Sequence, residues 1–296
     1  MTQTPFPPIE LATRVGELNG EDFVQYEEIG RSVRAEILGL LPESWTFDGK
    51  RVLDFGCGAG RTLRHFLEDA EAGSFSGCDI DAPSIAWLES NMSPPLHVFT
   101  NEEKPPLPLE SESLDLIWAI SVFTHISDHW AAWLVELHRV LRDGGLLIAT
   151  IFGPGLSEEW TEPTPDPRVE RGAPIVDEAD RIGMNVLHHG RSWDQGGPAV
   201  FLSGWWVEEH WGRAFEILTL REEGFAAHPP EWRGQGVVLA KKRPFDITVE
   251  ELDRIDPVES REIEALRHNV RQLHHESRKA REAASWLEDQ LASVSR

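Results

Sequence analysis

At 296 residues the chain is long enough for one large α/β domain and an accessory segment. It holds 51 Asp and Glu against 28 Lys and Arg, a formal charge of -23. A surface that acidic repels polyphosphate and anionic headgroups, which argues against nucleic acid and membrane surfaces as partners. The N-terminal residues lack the basic and apolar blocks of a signal peptide, no stretch is apolar for long enough to span a membrane, and the two cysteines, Cys57 and Cys78, form no disulfide framework; a cytoplasmic location is expected.

Residues 1–20 are Pro-rich and polar, which predicts a flexible lead-in to a domain over 21–245. Over 22–41 the residues Phe23, Tyr26, Ile29, Val33, Ile37 and Leu40 fall at helical spacing; Tyr26 or Arg31 either reaches a ligand or belongs to a helix packed on the sheet. Residues 51–55 form an apolar, β-prone run containing Asp54, followed by Gly56, Gly58, Gly60 and a predicted helix over 61–70. Glycines at that spacing let the backbone turn sharply and approach a ligand with no Cβ in the way, while the next helix points free N–H groups at the same place. A second strand ends at Asp79, whose carboxylate can accept both hydroxyls of a ribose. A helix is predicted over 82–91, a short strand over 96–99, a strand over 114–125, a helix over 130–141 and a strand over 146–152. Residues 153–198 read as a long irregular insertion rich in Pro and Gly, and such loops are usually lids or binding segments. A helix over 203–212 and strands over 215–220 and 236–241 close the domain.

This order, over residues 25 to 243, resembles the class I S-adenosylmethionine-dependent methyltransferases. The resemblance implies a Rossmann-like, seven-stranded α/β sheet with helices on both faces, S-adenosylmethionine as cofactor and S-adenosylhomocysteine as product. It matches Asp54 to the family's acid at the end of strand 1 and Asp79 to its ribose-binding acid. Gly56, Gly58 and Gly60 form the cradle, with Cys57 and Arg61 touching the cofactor through backbone or side chain. The resemblance also implies that Ile80 packs on the adenine, that Asn101 or Glu102 reads its amino group, and that Ser121 joins them from the end of strand 4. In the family a helix at the position of 22–41 caps the cofactor pocket. Nucleic-acid amino-methyltransferases carry Asn/Asp-Pro-Pro-aromatic at the end of strand 4; here Ser121-Val-Phe-Thr124 stands there, so base methylation is not expected. The strand end at 121–125, the insertion and residues 211–216 look like methyltransferases found beside glycan-assembly enzymes. That implies a hydroxyl of a small molecule or glycan-type acceptor, with the insertion over 153–200 as its lid.

Ligands of open α/β sheets bind outside the carboxyl ends of the strands, which places His125 to take a proton from an acceptor hydroxyl. A structural histidine bonded to backbone is the equal alternative. His125 and His129 are four apart, but no acidic ligand set accompanies them and no metal is expected. Among twelve tryptophans, Trp193, Trp205, Trp206, Trp211 and Trp232 gather in and after the insertion; Trp205 and Trp206 cannot share one helix face, so at least one belongs to the core. Two other readings stay open. One is N-methylation of a small amine held by Asp128, Asp177, Glu178 or Asp180; the other is a non-catalytic cofactor-binding scaffold.

Residues 246–296 are a different object. Ile263, Leu266, Val270, Leu273, Ser277, Ala280, Ala284, Leu287, Leu291 and Val294 alternate by three and four, and no Gly or Pro follows Pro257. A coiled coil is predicted, giving a homo-oligomer through residues 258–294. Its middle is thin, so a helix folded back on the enzyme and a higher-order bundle stay open.

Overall fold

The computed structural model describes residues 4–15, 23–154, 156, 183–226 and 233–294. Seven strands form one sheet: β1 (Arg51–Phe55), β2 (Ser74–Asp79), β3 (His97–Thr100), β4 (Leu114–Ala119), β5 (Leu141–Ile151), β8 (Phe215–Phe225) and β9 (Gln235–Lys242). Their order is β3-β2-β1-β4-β5-β9-β8; the first five are parallel and β9 runs antiparallel to both neighbours. The order reverses between β1 and β4, and that switch point is where open α/β sheets hold ligands.

Buried strands read as continuous apolar runs because both faces are covered. On one face α2 (Val24–Leu40) and α3 (Ala82–Met92) join a core with Ile37, Leu63, Phe66, Phe75, Leu88 and Trp118. On the other, α4 (Trp130–Val140), α5 (Gly204–His210) and the 3-10 turn after it (Trp211–Arg213) pack Trp133, Leu137, Trp206 and Trp211 over Ile117 and Leu147.

Several elements differ from their sequence expectations. The helix predicted over 61–70 is two short 3-10 pieces, Leu63–Phe66 and Asp69–Glu71, because the loop enters it from three successive glycine turns and no side chain caps its start. Strand 4 stops at Ala119, so Ser121 to His125 lie in the loop beyond it; Ser121 takes a left-handed φ of 61° that no strand accommodates. The fifth strand starts earlier than expected, at Leu141 in place of residue 146. The insertion carries regular structure: β6 (Met184–Leu187) pairs antiparallel with β7 (Ala199–Leu202), and a short 3-10 turn at Trp193–Gln195 lies between them.

Residues 4–15, expected as a loose lead-in, pack against the domain. Helix α1 (Ile9–Ala12) buries Leu11 and Ala12, Phe6 stacks on Phe23 with 4.7 Å between ring centroids, and Arg14 pairs with Asp81. At the other end, α6 (Val249–Leu252) begins with a capping box between Thr248 and Glu251 and fully buries Leu252 in the core. Beyond it runs α7 (Ser260–Val294), and among the described residues no helix is apolar enough to cross a membrane.

Candidate cofactor and acceptor site

A cavity of about 690 Å³ opens at the switch point, within the usual size range of small-molecule sites. Of the residues expected there, Asp54, Gly56, Cys57, Arg61, Asp79, Ile80, Asn101, Glu102, Ser121 and His125 all line it. Gly58 and Gly60 are not among its lining residues and serve the loop itself. Gly58 donates its N–H to Asp79 Oδ2 at 2.7 Å. Gly60 has φ +79°, and a Cβ there would run into Leu88 of α3. Gly56 also needs its freedom: φ is +81°, and a Cβ would strike the Val122 side chain across the switch point. Both cysteines are buried free thiols, and Cys57 lines the cavity floor.

Among the described residues, three buried acceptors on cavity-lining side chains lack a partner: Asp54 Oδ2, Asn101 Oδ1 and Gln235 Oε1. Orphaned buried acceptors are costly unless a ligand satisfies them. Burial pushes the Asp54 carboxyl up to about 7; the Trp118 indole and Arg61 oppose the rise, and Asp79 adds to it. A positively charged group beside it restores the carboxylate. Asp79 is also raised by burial, and the N–H groups of Asp81 and Gly58 hold it back. Its two oxygens accept those N–H groups, so the acid expected on the ribose also braces the glycine loop; each oxygen keeps a further lone pair for a ligand. These residues fit a cationic, hydrogen-bond-donating nucleoside.

The same cavity is also lined by Ile126, Ser127, Asp128, His129 and Trp133, and by Gly190 to Ser192, Trp193 and Gly196 to Pro198 from the β6–β7 connection. His125 Nδ1 lies 2.9 Å from Pro198 O. A carbonyl only accepts, so Nδ1 carries the proton and Nε2 keeps its lone pair in the neutral ring. The ring is open to the cavity yet enclosed by its walls, and this burial holds its pKa below the ordinary histidine value. His125 and His129 do not share a helix face, since α4 starts at Trp130 and both residues precede it.

Tyr26 and Arg31 stay away from the cavity. Tyr26 is buried, with its hydroxyl donating to Ala59 O at 3.3 Å, and Arg31 is exposed beside Glu27. Trp206 is core and Trp205 only partly buried, as their adjacency requires. Asp177, Glu178, Asp180 and Trp232 lie outside the described residues. Sequence reasoning missed Arg14, Trp133 and Gln235 as cavity residues. Gln235 donates to Ser121 Oγ at 2.6 Å from the start of β9, a contact between positions 114 residues apart that no local pattern signals.

Residues 53–147 match the family model for a methyltransferase domain, the stretch that holds both acids and the glycine loop. That match places a methyltransferase domain in this chain. Among methyltransferase relatives, the phthiotriol/phenolphthiotriol dimycocerosates methyltransferase 1 of Mycobacterium ulcerans is 28% identical over 156 residues, 52% of this chain and 53% of that one. A fatty-acid O-methyltransferase of Mycolicibacterium smegmatis is 25% identical over 38% of this chain and 41% of its own length. The chain thus spans about half, or less, of the curated relatives it matches. A structure described as an S-adenosylmethionine dependent methyltransferase of Listeria monocytogenes superposes with TM-score 0.51 at 19% identity, covering 72% of this chain and 99% of that one. At that identity the likeness establishes the methyltransferase fold.

Proposed function

We propose that this protein transfers a methyl group from S-adenosylmethionine to a hydroxyl oxygen of a small-molecule or glycan-type acceptor. The observation that carries the reading is one cavity holding both the orphaned acceptors of Asp54 and Asn101 and a neutral His125 whose Nδ1 proton is committed to Pro198. Asp54, Asp79, Asn101 and the backbone around Gly56 hold the cofactor. Bound there, S-adenosylmethionine supplies an activated methyl group and leaves as S-adenosylhomocysteine. The chain's own task is to orient the acceptor and keep bulk water out, which by itself lowers a barrier by several kcal/mol. His125 Nε2 accepts the hydroxyl proton as the oxygen becomes an ether, a step worth roughly 100- to 10,000-fold in rate.

The names of the relatives draw the acceptor toward lipid-like molecules, and the apolar side chains Ile126 and Trp193 in the cavity lining suit an alkyl or aromatic body. Asp128 in the same wall supports a second reading, N-methylation of a small amine. Turnover of hydroxyl, carboxyl and amine acceptors with methyl-labelled cofactor tests both. Label recovered as a methyl ether of a hydroxyl acceptor is expected, and a methyl ester alone overturns the hydroxyl reading. An N-methyl product overturns the hydroxyl reading, and cofactor binding with no turnover across the panel makes the chain a scaffold.

A further inference from the structure

Helix α7 has two faces with different fates. Glu262, Ala265 and His268 are buried against the enzyme. Glu262 Oε1 lies 2.6 Å from His210 Nε2 of α5, Asn269 Nδ2 donates to Met184 O at 2.9 Å, and Glu276 accepts the His188 N–H at 3.0 Å. This docked face is not the heptad seam. Leu266, Val270, Leu273 and Leu287 are 42%, 51%, 42% and 54% exposed, and every described side chain from 277 to 290 faces solvent. The helix is therefore both folded back on the enzyme and still carrying an uncovered apolar stripe.

We propose that two copies of this chain pair through α7 as an antiparallel two-stranded coiled coil, in the register that sets Val270 against the partner's Leu287. Side-chain volume selects the direction. A parallel pair stacks Ser277, Ala280 and Ala284 each on its own copy, three successive layers without a large side chain. In the antiparallel register Leu273 meets the partner's Ala284, Val270 meets the partner's Leu287, and only the central Ser277–Ala280 layers stay small. Charge selects the same direction. Beside this seam Arg267 adjoins the partner's Glu288, once at each end of the pair. In a parallel pair Arg267 instead needs Glu262, which is buried on His210, and Arg281 needs Glu276, which already receives the His188 N–H. The helix is about 50 Å long, so the antiparallel sense also keeps the two bodies at opposite ends.

Light scattering and cysteine cross-linking on the full chain test the pairing, since the two native cysteines are buried. The unmodified chain should run at twice the monomer mass, and Leu273→Asp should return it to a monomer that still binds S-adenosylhomocysteine. Positions 270 and 287 are about 25 Å apart along one helix, so they cannot cross-link within a copy. The double variant Val270→Cys/Leu287→Cys should form an intermolecular disulfide while Val270→Cys alone does not. Cross-linking by Val270→Cys alone means a parallel pair and overturns the register. A monomeric full chain overturns the pairing and leaves the stripe to a different protein.

Discussion

Asp54 lies on the cavity wall with its carboxyl pushed up to about 7 by burial, and the sign of that shift makes two predictions. Its folded pKa lies above its unfolded value, so the unfolded chain ionises first. Stability should fall as pH rises from about 4 to about 7 and then level off, by at most about 4 kcal/mol. Asp54→Asn should therefore be more stable than the unmodified, ligand-free chain at pH 8 and no more stable at pH 4, in paired urea melts. A variant that loses stability at pH 8 means the carboxylate is satisfied within the protein. The same substitution should weaken cofactor binding, because a neutral amide no longer answers a cation. His125 makes the complementary prediction. As a base it works in its neutral form, so the chemical rate should rise with pH through an ionisation below the ordinary histidine value of about 6.5. His125→Gln should slow single turnover by roughly 100- to 10,000-fold while leaving cofactor affinity unchanged. A variant with full single-turnover rate reduces the ring to a prop for Pro198.

Among the elements, α6 decides where the catalytic body ends. The composition break near residue 246 marks a boundary, but Leu252 has no exposed surface, and its carbonyl is engaged by His210 and by Arg213 at 2.9 Å. Leu252→Ala should cost about 2–5 kcal/mol in denaturant melts, as in other large-to-small core changes. A chain ending at residue 249 should be similarly weakened, whereas one ending at 258 should keep the buried leucine and its cofactor affinity. Equal stability for both truncations places the boundary back at 246. The contrast shows what was legible in advance. The glycine loop, Asp54, Asp79 and the strand order rest on short-range patterns that period and spacing reveal. Residues 249–252 make a single helical turn, too short for a period, and only their packing partners 40 residues away define them. The same holds for the β6–β7 ribbon, where two four-residue strands lie eleven residues apart inside a Pro- and Gly-rich stretch. Arg14 escaped for a related reason: its meaning lies in Asp81, across the fold.

At the scale of the whole molecule, the charge of -23 acts on every ligand that approaches the switch point. The field of so many carboxylates attracts cations and repels anions over about a Debye length, roughly 10 Å at 0.1 M salt. S-adenosylmethionine carries one more positive charge than S-adenosylhomocysteine, its sulfonium, and the two are otherwise alike. The acidic field and the buried Asp54 should therefore favour substrate over product, and salt should erode the first contribution while sparing the second. Calorimetric titrations of both ligands at about 20 mM and about 500 mM salt separate the two effects. The S-adenosylmethionine affinity should fall severalfold, and the S-adenosylhomocysteine affinity should barely move. Asp54→Asn should lower the substrate preference at both salt concentrations and leave the salt slope intact, since a buried pair is screened far less than the surface. Parallel salt slopes for the two ligands overturn the claim that surface charge selects the sulfonium. A slope that vanishes in Asp54→Asn assigns the whole preference to that one carboxylate.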